Sequence, residues 1–111
     1  MISNLEKLEK EKTRNFLNNA LIPVDWLGYK CIVTAIPIII DSICSDQKIV
    51  LKELYKIVAK YHKTTYSKVE CAIRYIHENT RINKYLNCNK LSNKTLLYGI
   101  AKCVMVSLHI E

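Results

Sequence analysis

The side chains best suited to chemistry lie in one short stretch of the chain, residues 63–81. They carry hydroxyl, ammonium, carboxylate, guanidinium, thiol and phenol groups. Most recur at steps of three or four residues, which places them along one side of a helix. Such groups suit phosphate oxygens and base edges in a DNA major groove, although an ordinary solvated helix carries similar residues. The candidate DNA-binding residues are Lys63, Thr64, Thr65, Ser67, Lys68, Glu70, Cys71, Arg74, Tyr75 and Arg81.

The rest of the chain lacks a converging set of catalytic groups. His62, His77 and His109 are scattered and lack any metal-ligand spacing. The two glycines, Gly28 and Gly99, cannot form a phosphate-cradling loop, and there is no nucleophile elbow. We therefore expect no enzyme, no metal, no cofactor and no small-molecule substrate.

Five cysteines lie at positions 31, 44, 71, 88 and 103, with no C-x-x-C pair. These spacings predict neither a zinc site nor a paired disulfide framework. The interpretation that follows is small, buried or half-buried thiols in a reducing cytosol. A redox-sensing role for Cys71, beside Lys68, Arg74 and Tyr75, is an alternative.

Charge and hydropathy limit the class of partner. The formal net charge is +7, from 17 Lys and Arg against 10 Asp and Glu. This balance favours an anionic partner, nucleic acid first and a membrane surface second. The charged start of the chain is unlike a signal peptide, and the longest apolar run, residues 31–40, covers about half a membrane span. We expect a soluble cytoplasmic protein without a membrane segment.

Helices are expected to position the candidate residues. With only two Gly and two Pro in 111 residues, the chain predicts one all-α domain, a compact bundle of about five to six helices. Apolar residues at helical spacing indicate helices over 51–61 and 65–81, joined by His62-Lys63-Thr64. Thr65 can cap the second helix by accepting the amide of Lys68. The pair is predicted to form a helix-turn-helix.

The flanking segments support this pair. Residues 1–13 are predicted to form a loosely packed helical extension, and residues 14–111 the firmly packed domain. Gly28 near a helix start suggests a close contact or a tight entry to the helix, and Pro37 should kink or interrupt its helix. The last helix, 92–108, is apolar on more than one side, so it is either deeply buried or part of a dimer contact. The last helix or the N-terminal helix could thus carry a homodimer.

The segment Leu54–Glu78 resembles the recognition region of the C-terminal effector domain of the master sporulation response regulator. The family pattern is approximately L-Y-x-x-[IV]-A-x-x-[FY]-x-T-T-x-S-[RK]-V-E-R-A-I-R. Residues 23–29 resemble the family's P-x-x-x-x-G-Y motif, and residues 90–93 its K-P-T-N turn, so the resemblance covers about residues 14–108. The central matches are Leu54, Tyr55, Val58, Ala59, Tyr61, Thr64, Thr65, Ser67, Lys68, Val69, Glu70, Ala72, Ile73 and Arg74.

This resemblance implies an all-helical DNA-binding domain that sits on DNA as a tandem dimer. By position, residues 67, 68, 70 and 74 would face the groove, and residues 62–65 would lie near the DNA backbone. Cys71 departs from the family, which usually has Arg there, and the segment before the last helix is shorter. The chain begins at Met1 without a receiver domain, so we expect it to be constitutive, or controlled by its abundance or by a partner.

Two hypotheses follow. The first is a stand-alone, sequence-specific bacterial transcription regulator that inserts helix 65–81 in the major groove of double-stranded DNA. The alternative is a protein-interaction module that keeps the fold and modulates another regulator without binding DNA. The apolar last helix and the cysteine at position 71 motivate the alternative.

Overall fold

The computed structural model describes residues 4–109, which form helices and turns and contain no strand. The all-α prediction is confirmed, because the periodic apolar residues of the sequence fall on the inward faces of these helices. The described helices are α1 (Asn4–Asn19), α2 (Leu27–Cys44), α3 (Leu51–Tyr61), α4 (Tyr66–Asn79), α5 (Ile82–Tyr85) and α6 (Asn93–Ser107).

Helix α2 is the centre of the bundle. It contacts α1, α3, α4 and α6, and Ile32, Ile36 and Ile39 are fully buried among them. By length and composition α2 could cross a membrane, but 61% of it is buried inside the domain, as expected of a core helix. Of the two effects predicted for Pro37, the interruption is wrong, since α2 continues through it, and the kink stays a prediction. Packing against four neighbours outweighs the single backbone hydrogen bond that proline cannot donate.

Gly28 lies at a close contact between α2 and α4, which is one of the two possibilities that the sequence offered. A Cβ added there would lie 2.5 Å from the Ala72 carbonyl oxygen and 2.7 Å from Ile76 Cγ1. Only a residue without a side chain lets α2 approach the backbone of α4 this closely. The contact fixes α4 against the core along its inward face.

Several helices end on a residue other than glycine in the left-handed conformation. After α1, Leu21 has φ 63°, and the amide of Ile22 donates to the Leu17 carbonyl at 3.0 Å. After α3, Lys63 has φ 54°, and the amide of Thr64 donates to the Ala59 carbonyl at 2.9 Å. These are Schellman motifs, which satisfy the last helical carbonyls. They turn the chain sharply although it has few glycines.

Helix α1 runs without a break through the predicted boundary at residue 13. Glu9 and Thr13 are buried, whereas Leu5 and Leu8 are exposed. The helix contacts α2 and α6. The first three residues of the predicted extension lie outside the described residues, and its loose packing stays a prediction.

Candidate DNA interface

Helices α3 and α4 meet across a four-residue turn, residues 62–65. Val58 of α3 and Val69 and Ile73 of α4 are fully buried in the shared core. The rings of Tyr55 and Tyr66 pack edge-on with centroids 5.4 Å apart, across the start of α4. The left-handed Lys63 reverses the chain between the helices and leaves its own side chain exposed. The two helices are therefore held at a fixed angle by packing on both sides of the turn.

The two ends of α4 differ in how well the sequence predicted them. Thr65 caps the helix as predicted, with its hydroxyl accepting from the Lys68 amide at 3.2 Å. The predicted C-terminus is wrong, because α4 ends at Asn79 and the backbone of Thr80 is extended. The Thr80 hydroxyl donates to the Ile76 carbonyl at 2.6 Å, so it occupies a carbonyl to which a backbone amide would donate in a longer helix. Arg81 consequently lies outside α4, at the start of α5.

The predicted outward face of α4 is open to solvent. The exposed predicted residues are Lys63, Thr65, Ser67, Lys68, Cys71, Arg74, Tyr75 and Arg81, and the half-buried ones are Thr64 and Glu70. The structure thus brings together the turn and one side of α4, with Arg81 beyond its end. Lysine and arginine outnumber acidic residues at these positions, and a positive surface of this kind suits a polyanion.

Arg74 lies at the middle of this face. Its Nη1 is 3.5 Å from Glu70 Oε1, and its Nη2 donates to Cys71 Sγ at 3.3 Å. Both partners are one helical turn earlier, so the guanidinium lies along the surface of α4 rather than extending into solvent. Exposed ion pairs of this kind are weak, so Arg74 can exchange these partners for a ligand at small cost.

Asn93, at the start of α6, joins three parts of the fold behind this face. Its Nδ2 donates to the Tyr55 hydroxyl at 3.0 Å and to the Glu70 carbonyl at 3.1 Å. Its Oδ1 lies 2.8 Å from His77 Nε2. One amide therefore ties α3 and α4 to the last helix, whose N-terminus is capped by Ser92. The sequence alone does not indicate this role, since partners 16 and 38 positions apart leave no local pattern.

Tyr75 has a second role that the sequence did not indicate. Its ring packs edge-on against Trp26, with centroids 5.2 Å apart. Trp26 precedes α2, so this contact braces the C-terminal half of α4 against the N-terminus of the core helix. Tyr75 remains half exposed and can still touch a ligand.

The expectation of buried or half-buried thiols is wrong for three cysteines. Cys44, Cys71 and Cys103 are exposed, Cys88 is half-buried and Cys31 is buried. Burial raises the pKa of the Cys31 thiol to about 11. All five are free, and within residues 4–109 no cluster of three or more His, Cys, Asp or Glu side chains could hold a metal ion.

The fold and this surface define a basic all-α domain that presents one polar helix on a braced core. Residues 13–103 match the family model of the sporulation initiation factor Spo0A C-terminal domain. The chain therefore belongs to that family, the DNA-binding domain of a sporulation regulator. Comparisons with curated proteins and with solved structures gave no significant match.

Proposed function

We propose that this protein is a stand-alone, sequence-specific transcription regulator of the bacterial cytoplasm that inserts α4 in the major groove of double-stranded DNA. The observation that carries the proposal is the solvent-open face of α4, held rigid by Gly28, Asn93 and Trp26. Membership of a DNA-binding family and the net charge of +7 support it. Recognition helices act in this way, with their N-terminal residues against base edges.

Phosphate contacts would come from the turn and the start of α4. Lys63 offers an ammonium group, and the hydroxyls of Thr64 and Thr65 lie beside it in the sequence. The free amides at the N-terminus of α4 and the positive end of its dipole also favour an anion. These contacts would set the register of the helix on the duplex without reading sequence.

Base contacts would come from the next turns of α4. Arg74 suits the O6 and N7 of guanine, Glu70 can accept from cytosine N4, and Ser67 can serve either base. Lys68, Tyr75 and Arg81 would flank these contacts. On binding, Arg74 would leave Glu70 and Cys71, which hold it only loosely.

The proposal is tested by fluorescence polarisation with a duplex carrying the family's target box, at several salt concentrations. We expect salt-sensitive binding and a loss of about 1–3 kcal/mol, or roughly 5–150-fold in affinity, for Arg74→Ala. Lys48→Ala is the matched control, because it removes an exposed cation from the segment between α2 and α3. No binding to any duplex at low salt would end the proposal.

A second candidate is a protein-interaction module that modulates another regulator without binding DNA. Val106, 74% exposed near the end of α6, and the exposed Cys103 favour it, because they leave apolar surface open on the last helix. The same surface would serve a homodimer through residues 92–108, and the N-terminal helix offers a second contact. Light scattering measures the molar mass of the protein by itself and of the protein mixed with the target duplex, and the two masses separate these cases. A stable complex with another regulator, together with no binding to DNA, would favour the second candidate.

A further inference from the structure

A cleft lined by Lys10, Arg14 and Lys30 lies beside the turn, and its lining includes no residue of α4. It has a volume of about 300 Å³. Its basic side chains come from three separate elements: the cations Lys10 and Arg14 of α1 and Lys30 of α2, and the imidazole of His62 at the end of α3. None of the described residues that line it carries a carboxylate.

The charges of this cleft are largely uncompensated. Within residues 4–109, neither Arg14 nor Lys30 forms an ion pair. Lys10 Nζ is 3.9 Å from Glu6 Oε2 and 5.3 Å from the centre of the Tyr61 ring. Arg14 and Lys30 are exposed, so water screens their mutual repulsion, and a bound anion would supply both with a counter-charge.

His62 reports this local field. Its Nε2 lies 2.7 Å from the Thr34 hydroxyl, which fixes the ring at the inner end of the cleft. Burial is the largest cause that lowers the pKa of His62; a hydrogen bond with the Lys30 backbone opposes it, and the positive charges of Lys30 and Lys10 add to the lowering. Because the His62 ring is neutral, the three permanent cations, Lys10, Arg14 and Lys30, would attract an anion. Thr34 and His62 supply hydrogen-bonding groups in the cleft.

We propose that this cleft binds a phosphate group through Lys10, Arg14 and Lys30. Three cations from two helices around one concavity suit the several oxygens of a phosphate better than a monovalent anion. The volume is near the lower end of small-ligand pockets, so there is room for a substituent beyond the phosphate. His62 directly precedes Lys63 of the turn, so the cleft adjoins the proposed DNA contacts.

The phosphate can come from two sources. It can belong to the DNA backbone, which would extend the footprint of the domain from α4 to α1 and α2. It can instead belong to a free phosphorylated molecule bound next to the turn. The first source rests on the proposed function, and the second does not.

Two arms of one experiment separate the sources. The double variant Arg14→Gln/Lys30→Gln removes two unpaired exposed cations from the cleft. Lys48→Gln/Lys52→Gln is the matched control, with the same loss of charge at exposed positions outside the lining and outside residues 92–108. Circular dichroism first establishes that both variants are folded.

The first arm titrates the labelled protein with inorganic phosphate at constant ionic strength and follows amide and histidine signals by NMR. We expect saturable shifts at Arg14, Lys30 and His62 in the wild type and the control, and none in the cleft variant. The second arm measures DNA affinity against salt concentration. Two lost phosphate contacts should lower the slope of log K against log salt by about 1.8 for the cleft variant alone.

A change in slope specific to the cleft variant assigns the DNA backbone as the source. Phosphate shifts without that change assign a free phosphorylated ligand. The proposal is overturned if phosphate gives no saturable shift and the two variants have equal salt slopes. If the wild type fails to bind any duplex, the proposed function falls, and the phosphate titration alone decides the matter.

Discussion

Replacing Gly28 by alanine tests the contact that sets α4 on the core. The new methyl carbon would lie 2.5 Å from the Ala72 carbonyl oxygen, whereas ordinary contacts begin near 3.4 Å. The helices must therefore separate locally by about 0.9 Å, the difference between these two distances. The clashing atom belongs to the backbone of α4 and cannot turn aside as a side chain would.

The expected cost follows from two opposing effects. Overpacking in a core costs about 1–3 kcal/mol. Alanine gains at most about 1 kcal/mol over glycine in helix propensity, and less near a helix start. We expect Gly28→Ala to lose about 1–2 kcal/mol of unfolding free energy and to lower Tm by roughly 5–15 °C. Urea and thermal denaturation followed by circular dichroism measure both quantities.

Gly99→Ala is the matched control, because it also lies inside a helix. Its added methyl would meet only the flexible Leu86 side chain, 3.3 Å away at the nearest atom. We expect this variant to be as stable as the wild type or up to about 1 kcal/mol more stable. The reasoning would be refuted if Gly28→Ala melted at or above the wild-type temperature, or if both variants lost the same stability.

Three further predictions use single sites. Burial, with Glu6 and Asp41, raises the pKa of Glu9. Because the pKa of Glu9 is higher in the folded state than in the unfolded state, its deprotonation lowers the free energy of unfolding as pH rises. Glu9→Gln should therefore have a higher urea midpoint than the wild type at pH 7, but not below a pH of about 4. Leu21→Gly should gain about 0.5–1 kcal/mol, because Leu21 is left-handed and 83% exposed; an unchanged urea midpoint would contradict this. Bound DNA should slow the alkylation of Cys71 by N-ethylmaleimide but not that of Cys44, as measured by peptide mass mapping. An alkylation rate of Cys71 that is the same with and without DNA would contradict the docking of α4.

Local features of the fold could be predicted from the sequence. The Thr65 cap depends on residues three positions apart, and the apolar stripes of α3, α4 and α6 depend on steps of three and four. The close contact at Gly28 could be inferred because glycine inside a helix needs a reason. The exposed face of α4 followed once its buried face was known. These successes all rest on interactions within one helix or on a single diagnostic residue.

Long-range features could not be predicted in this way. The hydrogen bonds of Asn93 and the ring contact of Trp26 join segments that are far apart in the sequence. Pro37 shows how tertiary packing overrides a strong local signal. The cleft beside His62 needs cations from α1 and α2 that no spacing rule connects. The α4 C-terminus was missed because a single hydroxyl, that of Thr80, replaces the next helical turn.

The most direct test of the central claim is amide NMR of the labelled protein during titration with the family's target duplex. If α4 enters the major groove, the largest changes should fall on Lys63–Thr65 and on Ser67–Tyr75. The amides of Lys102–Ser107, on the far half of α6, should remain unchanged at one duplex per site. Changes confined to α6, or no changes at low salt, would contradict the account.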